Sequence, residues 1–545
     1  MGILGKASKL LDLFQSLRST KHLASLLLIL TIGVPLLWVL ADYVYILRLR
    51  RKMPPGPFPL PVIGNWYDIP KSRPWLEFEK MSHRYNSPMV TLWNGSRPII
   101  VCNDAWTISG LLEKRAAIYS SRPQFVVMGD MMNQTKENQV CQIYGDRWRL
   151  HRRLTHNVVG SQAVRAHRTF QGNESKVLLR DLMERPDDMV MSIERYSCST
   201  VSIIGWGRRI DRMNDHVALC ALGFMEGVNY VIPGLYLMET IPILAKLPGW
   251  LYKLPSLILS NTKHFQRYFY ALAMEGAEAK EENFSTLLLK QHNENNLTLE
   301  EIACLTANLI GGGVDTTTSS TLSFVLAMCV FPGAQKKAQE EINRVVGDHR
   351  MPEWSDEASL PYVAALVSEV LRWRSVTILG GIPHSPIQDD DYRGYFIPKE
   401  TAITGNLWGI HRNPNDYPEP DVFRPERFFN GLERPHPSKK GHNAFGWGRR
   451  QCSGQPLAEQ GLFITIARML WAFDIRPGLD EQGNPVKLDI FAYTESENMR
   501  PEPFKARFLP RSEKHAALVL DAARQAREEL RVYDGETKLT LQNVP

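Results

Sequence analysis

The first long apolar stretch runs from Leu23 to Ala41, 19 residues without a charged side chain. As a helix rising about 1.5 Å per residue it would span roughly 28 Å, enough to cross the hydrocarbon core of a membrane. A cleaved signal peptide fits poorly, because the stretch starts late and lacks a small-x-small cleavage site. A buried core helix fits less well still, because the basic run Arg48–Lys52 follows. The pattern predicts one N-terminal transmembrane helix.

Residues 53–61, which read Met-Pro-Pro-Gly-Pro-Phe-Pro-Leu-Pro, come directly after this stretch. Successive prolines exclude a helix and favour a stiff, extended spacer. The segment could also be an SH3-type ligand. Its place after the apolar stretch favours a hinge between an anchor and a folded body.

Two apolar runs, Val90–Trp93 and Ile99–Cys102, flank an Asn-Gly pair and predict two neighbouring strands. A second hairpin-like run covers Asp391–Pro398. Beyond about residue 105 the pattern is mainly helical. The predicted fold class is therefore mainly α with a small β region.

A capping box at Thr298–Glu301 predicts the start of a helix that continues to Phe331, before Pro332-Gly333. Gly311–Gly313 lie in its middle, and each interior glycine costs on the order of 1 kcal/mol relative to alanine. Such a sequence favours a locally opened groove beside a carboxylate and a hydroxyl, Asp315 and Thr316. A glycine-packed helix crossing with polar neighbours is the alternative.

Two further pairs share a helix face. Trp148 and Arg152 are four residues apart, so an indole N–H and a guanidinium could hold one carboxylate; a solvated basic face is the other interpretation. Glu369 and Arg372 are bracketed by apolar residues, which suggests a buried bridge that Arg427 could complete, although such pairs are usually surface salt bridges.

The formal charge of +6 comes entirely from residues 1–52, which hold eight basic and two acidic side chains. The remaining chain is formally neutral, which excludes a nucleic-acid binder with a basic body. Seven cysteines with no closely spaced pair exclude a disulfide scaffold and a paired zinc site. This usage indicates a reducing compartment on the cytosolic side.

The stretch Phe445–Gly454 holds one cysteine, Cys452, between glycines and just after the pair Arg449 and Arg450. The arginines are expected to favour the thiolate, as is the N-terminus of a helix that opens at Gln455. On its own, this pattern also fits a buried, inert cysteine in a turn.

The spacing F-x-x-G-x-R-x-C-x-G resembles the haem-binding signature of the cytochrome P-450 superfamily. The Trp148/Arg152 pair, the Gly312–Thr317 run, and the E-x-x-R and P-E-R-F pieces resemble other motifs of the family, in its order. The proline hinge is similar to that of microsomal members, and the overall style to filamentous-fungal enzymes of secondary metabolism. The chain departs from the pattern at Ser375, Glu400 and Ser453, where the family usually has Pro, Gly and an apolar residue.

The resemblance implies the cytochrome P-450 fold and haem b (iron protoporphyrin IX), with the Cys452 thiolate as axial ligand and Phe445 and Gly454 in the haem loop. Thr316 would hold oxygen by a hydrogen bond, and Asp315 would deliver protons. Haem propionates would be held by a set of four side chains, Trp148, Arg152, His384 and Arg450. The triad Glu369, Arg372 and Arg427 would be structural.

The implied activity is insertion of one oxygen atom from O2 into a lipophilic small molecule. Because no dinucleotide-binding motif occurs, electrons would come from a separate NADPH-dependent reductase docking near Cys452. The residues expected to meet it are Arg147, Arg149, Lys439, Lys440 and Arg449. A haem-thiolate isomerase or dehydratase, a non-catalytic haem sensor or carrier, and a membrane scaffold without cofactor are the alternatives.

The expected domains are an anchor (1–52), a hinge (53–64), a catalytic domain (65–511) and a C-terminal helical tail (512–545). Residues 533–545 are expected to be frayed. The expected location is the endoplasmic reticulum membrane, single-pass, with the catalytic domain facing the cytosol.

Overall fold

The computed structural model describes residues 29–220, 223 and 236–544, and this part of the chain is mainly helical with small sheets. The α-helices are α1 (Val34–Arg50), α2 (Pro74–Arg84), α3 (Ala105–Leu112), α4 (Ala116–Tyr119), α5 (Gln134–Glu137), α6 (Asp146–Val159), α7 (Arg168–Glu184), α8 (Met189–Trp206), α9 (Leu237–Thr240), α10 (Leu254–Ala277), α11 (Phe284–Asn295), α12 (Leu299–Val330), α13 (Pro332–Val345), α14 (Pro361–Trp373), α15 (Leu407–His411), α16 (Gln455–Ala472) and α17 (Glu513–Glu529). The predicted fold class is confirmed.

The strands form three small sheets from β1 (Met89–Asn94), β2 (Arg97–Cys102), β3 (Asp390–Tyr392), β4 (Tyr395–Ile397), β5 (Ala402–Gly405), β6 (Phe473–Pro477) and β7 (Ala506–Pro510). β1 and β2 pair antiparallel, and β5 adds to β2 in parallel. β3 pairs with β4, and β6 with β7. Both predicted hairpins are therefore present.

Helix α12 crosses the body and packs against α8, α10 and α16. Its capping box has both bonds: the Glu301 N–H donates to the Thr298 hydroxyl oxygen, and the Thr298 N–H donates to the Glu301 carboxylate. Proline at the start of α13 prevents continuation, and the two helix axes differ by 102°. The predicted long helix and its cap are confirmed.

Helix α1 and the end of the π-helical turn before it, Ile29–Gly33, form a candidate membrane span of 20 residues, Thr31–Arg50, whose apolar stretch is only 11% buried. The predicted stretch began at Leu23, and its first residues lie outside the described part of the chain. The last turns of α1 leave the apolar stretch and pack Ile46 and Leu49 into the cluster around β1 and β2. The proline-rich segment is also fixed to this sheet, because the Thr91 N–H donates to the Pro55 carbonyl over 3.0 Å.

The C-terminal tail is anchored to the body, so the expectation that residues 533–544 are frayed was wrong. Arg208 donates to the Gly535 carbonyl over 2.8 Å, and the Thr537 hydroxyl donates to Glu275 over 2.7 Å. Leu539 and Leu541 pack against the cluster between α8 and α10. The prediction rested on the terminal position of these residues, which says nothing of their contacts with distant parts of the chain.

Candidate active site

The Cys452 loop is a tight backbone turn before α16. The Cys452 N–H donates to the Phe445 carbonyl over 2.9 Å, which closes the loop. Gly448 has φ +56°, and a Cβ there would lie 2.1 Å from the Leu112 carbonyl oxygen, so the position requires glycine. The residue before α16 is Gly454, at its N-cap. Cys452 is exposed, while the other six cysteines are buried and free.

The environment of the Cys452 thiol differs from the one expected. Although Cys452 has an exposed surface, partial desolvation by the protein around its sulfur raises its pKa, an effect opposed by the backbone N–H groups of Gly454 and Gln455 and by the charge of Arg152. Arg449 instead donates to the Tyr144 hydroxyl over 2.6 Å. The expectation that Arg449 and Arg450 stabilise the thiolate was wrong, because the short turn Gly448–Arg450 directs both side chains toward other partners.

Helix α12 stays helical through its glycines. A Cβ on Gly313 would lie 2.4 Å from the Val201 side chain, so this glycine permits the crossing with α8. A Cβ on Gly312 would meet nothing within 4 Å, so the helix surface there borders open space. The open space exists because glycine has no side chain, and the backbone of α12 stays helical there. The expectation of a locally opened helix was therefore wrong, Gly313 fits the alternative of a glycine-packed crossing, and Gly312 only leaves open space beside the intact helix.

The two polar residues after the glycines are held differently. The Thr316 hydroxyl donates to the Gly312 carbonyl over 2.5 Å, which leaves its lone pairs free to accept a hydrogen bond. Asp315 lies 3.8 Å from Arg500, which also pairs with Glu194 over 3.0 Å. Burial raises the Asp315 pKa, and Arg500 partly offsets this. A raised pKa makes a carboxyl a better proton acceptor than an exposed one.

Three of the four predicted propionate-binding residues meet beside the loop. The Arg450 guanidinium lies 4.5 Å over the Trp148 ring and donates to the carbonyls of Ser120, Gln139 and Gln142. The buried His384 ring is bonded through Nδ1 to the Tyr119 carbonyl at 3.0 Å. The fourth residue, Arg152, donates to the Gln451 carbonyl over 2.6 Å, next to Cys452.

Arg122 joins this cluster and was missed by the sequence prediction. Its buried guanidinium donates to the carbonyls of Val140, Ile382 and Pro383, the last two directly before His384. Its neighbours Ser120, Ser121 and Pro123 show no helix or strand periodicity, so nothing local marks it as buried. The fold alone brings it to the site.

The cluster carries a positive charge that no carboxylate among the described residues neutralises. Burial lowers the pKa of Arg122 to about 10 and that of Arg450 to about 8, and each arginine also acts on His384, whose pKa is lowered well below its usual range. Buried cations need anionic partners. A flat ligand with two carboxylates, as haem has, would supply them while its centre faces Cys452, so these residues fit the cofactor.

The predicted triad is assembled behind the loop. Arg372 bonds both oxygens of Glu369, at 2.7 and 2.8 Å, and Arg427 bonds one at 3.3 Å. All three side chains are buried. Arg372 also donates to the carbonyls of His411 and Pro420. The group links α14 to the segment before the Cys452 loop and does not reach the open space.

Ser375, one departure from the family pattern, also supports the loop. Its hydroxyl lies 2.7 Å from His411 Nδ1, and His411 Nε2 accepts the Asn443 N–H over 2.9 Å. Glu400, another departure, has φ +66°, a backbone conformation that suits the glycine usual there.

The five basic residues expected to meet a reductase are not equally available. Arg147 is engaged by Glu301 and by the carbonyls of Asn295 and Asn296, so its role is structural. Arg149 pairs with Asp146, and Lys440 pairs with Glu459 at 3.1 Å. Lys439, Lys440 and Arg449 are exposed beside the loop.

Comparison with known proteins agrees with this geometry. Residues 54–499 match the family described as Cytochrome P450. The chain is 32% identical to Cytochrome P450 monooxygenase 58 of Postia placenta, over 88% of this chain and 92% of the relative. It is 33% identical to the monooxygenase fogE of Aspergillus ruber, over 86% and 89%. The monooxygenase virE of Hypocrea virens is also 33% identical, over 87% and 88%. The chain therefore belongs to the cytochrome P450 family and is a P450 monooxygenase that uses haem b with a cysteine thiolate as axial ligand.

Proposed function

We propose that Cys452 supplies this thiolate, and that the enzyme inserts one oxygen atom from O2 into a lipophilic small molecule while held in a membrane by α1. The main support is the cluster of Arg122, His384 and Arg450, whose charge no described carboxylate neutralises, beside an exposed Cys452. When bound, the haem supplies O2 activation, with the thiolate pushing electron density toward O–O cleavage.

In this proposal one polar residue of α12, Thr316, positions the ligand by a hydrogen bond, and the other, Asp315, supplies protons. Thr316, whose proton is committed to Gly312, can accept a hydrogen bond from a protonated ligand in the open space. Asp315 can pass protons inward from the Arg500 side, because burial keeps its pKa above the usual value. Neither residue acts as a nucleophile.

An apolar substrate is favoured by the segment before α6. Phe125, Val126 and Val127 are buried, and Met128, Met131 and Met132 are partly buried. Methionines adapt to varied shapes, which suits a pocket for a lipophilic ligand. A role in secondary-metabolite biosynthesis follows from the resemblance to filamentous-fungal enzymes, and the relatives above are fungal.

Membrane attachment is supported by the apolar surface of α1. Leu36, Leu37 and Trp38 are 65 to 68% exposed, which suits lipid and not water. Trp250, 85% exposed, and Ile243, 63% exposed, are further exposed apolar side chains before α10. The free cysteines suit a catalytic domain on the cytosolic side of the endoplasmic reticulum.

Electrons would reach the site from a separate NADPH-dependent reductase, docking where Lys439, Lys440 and Arg449 are exposed beside the loop. Reconstitution in vesicles with such a reductase, NADPH and 18O2 tests the proposal. The candidate substrate is the compound that accumulates when the gene is deleted. One labelled oxygen in the product, and none without reductase, is expected. Product formed without O2 or reductase would instead show an isomerase or dehydratase.

A further inference from the structure

Glu497 lies in a segment, Thr494–Arg500, that runs beside residues 376–381. The Ile378 N–H donates to the Glu497 carbonyl over 3.1 Å, and the Met499 N–H donates to the Val376 carbonyl over 2.8 Å. These two bonds fix Glu497 on the strand-like stretch after α14. Its position is set by backbone bonds and not by its own side chain.

The same segment reaches both sides of the candidate active site. Arg500 contacts Asp315 on α12, next to Thr316, and Asn498 also hydrogen-bonds Asp315. Residues 376–381 reach the Cys452 loop, because a Cβ on Gly380 would lie 2.7 Å from the Trp447 ring. Glu497 is thus held between the α12 proton-delivery residues and the loop.

Among the described residues, the Glu497 carboxylate has no cationic partner, and it keeps acceptor sites that no hydrogen bond uses. One oxygen accepts the Gly381 N–H over 3.3 Å, and the Leu379 N–H also points to the carboxylate. The side chain is only partly buried by protein. It makes no ion pair with any residue in the described ranges, and Arg500 is engaged by Glu194 and Asp315. Burial raises the Glu497 pKa to about 7, and no charged neighbour contributes to this value.

We propose that Glu497 recognises a protonated nitrogen on the substrate, so that the lipophilic substrate carries a basic amine. A carboxylate held among protein groups without a cation is less stable than a paired one, and a cationic group on the ligand supplies the missing partner. The two backbone N–H groups hold the carboxylate in place, so it does not have to be ordered when the ligand binds.

This inference rests on the proposed haem-thiolate site, and iron-binding imidazoles test it without knowledge of the substrate. The probes are a short series of N-aminoalkyl imidazoles and the matching N-alkyl imidazoles, in which a methyl group replaces the ammonium. The imidazole binds the iron and shifts the Soret band, while its tail extends into the open space beside Gly312. At pH 8, the best-fitting ammonium probe should bind on the order of tenfold more tightly than its alkyl match.

The variants separate the charge of Glu497 from its structural role. Glu497→Gln keeps an oxygen for the Gly381 N–H and removes the charge, so the preference for the ammonium probe should vanish. Glu495→Gln is the matched control, because Glu495 lies two residues away and pairs outward with Arg73 at 3.1 Å. It should keep the preference.

The possible results distinguish a failure of the Glu497 inference from a failure of the proposed haem-thiolate site. Equal binding of both probe types by the wild type at every tail length overturns the inference, as does a preference that persists in Glu497→Gln. This holds even if that variant folds poorly, because the wild-type comparison stands alone. No Soret shift with any imidazole would instead contradict the haem-thiolate site itself.

Discussion

Arg122 is buried and Arg450 is partly buried, and the described hydrogen-bond acceptors of both guanidiniums are all backbone carbonyls. If they hold the haem carboxylates, each contributes a charge-assisted bond worth about 1.5–3 kcal/mol. Arg122→Gln should therefore lose haem on the order of ten to a hundred times faster than the wild type. Transfer of haem to an excess of an apoglobin acceptor measures this rate.

Arg97→Gln is the control for this substitution. Arg97 also donates to a carbonyl, that of Gln124, but at an exposed position outside the cluster. It should lose haem at the wild-type rate. An unchanged rate of haem loss in Arg122→Gln would contradict this prediction. It would show that Arg122 only joins the loops whose carbonyls it binds.

Single side chains were predictable where a motif fixes their spacing. Trp148 and His384 were predicted as site residues from the motifs around them, and both lie at the cluster. Arg122 and the partners of Arg147 were not predictable, because their contacts lie far along the chain. The Arg147–Glu301 pair, for example, spans 154 residues.

Alanine substitutions at the two glycines of α12 should have opposite effects on the stability of the protein. Gly313→Ala places a Cβ against the branched Val201 in a buried crossing and should destabilise the protein by about 1–3 kcal/mol. Gly312→Ala meets nothing and gains helix propensity, so it should be neutral or stabilising by up to about 1 kcal/mol. Urea unfolding of both variants measures this. Equal destabilisation would mean that Gly312 also packs and borders no open space.

The N-terminus of α12 depends on Glu301, which predicts a pH effect. Burial alone would raise the Glu301 pKa, but hydrogen bonds from His151, Arg147 and the Thr298 N–H lower it to about 2. Because the folded pKa lies below the unfolded value of 4.5, the stabilisation is present above that pH and lost as pH falls toward 2. Its size is about 3 kcal/mol.

Urea midpoints of the wild type and Glu301→Gln, measured from pH 7 to pH 3, test this. The wild type should be more stable at pH 7, and the difference should shrink below pH 5. Glu300→Gln, on the same turn but exposed, should show little difference at any pH. A gap between wild type and Glu301→Gln that does not change with pH would contradict the account.

Elements with local signals were predicted well, since the cap at Thr298, the proline at 332 and the apolar runs beside the Asn-Gly pair of β1 and β2 each act within a few residues. The C-terminal tail lacks such a signal. Its contacts, such as Arg208 to Gly535, are 327 residues apart and exist only because α17 packs against α7. Composition alone could not reveal them.

At the scale of the whole molecule, one continuous helix, α1, joins the candidate membrane span to the body. Ile46 and Leu49 pack against the body, and the Tyr43 hydroxyl donates to the Pro59 carbonyl over 3.1 Å. Removal of residues 1–42 should therefore release the protein from membranes without lowering its melting temperature. Removal of residues 1–52 takes away the two buried side chains and should cost about 3–6 kcal/mol.

Flotation of vesicles and thermal unfolding of both truncated forms check this. Equal stability would place the end of the anchor at residue 52, as the sequence predicts. A shorter form that still floats would mean that exposed apolar side chains such as Trp250 suffice for attachment.

The central claim is that the Cys452 thiolate binds haem iron, and the spectrum of the reduced protein with CO tests it most directly. The wild type should show the long-wavelength Soret band of a thiolate-ligated haem. Cys452→Ser should lose that band, while Cys141→Ser, at a buried cysteine near the cluster, should keep it. A thiolate-type band that survives in Cys452→Ser, or a wild type purified colourless from haem-replete cells, would contradict the account.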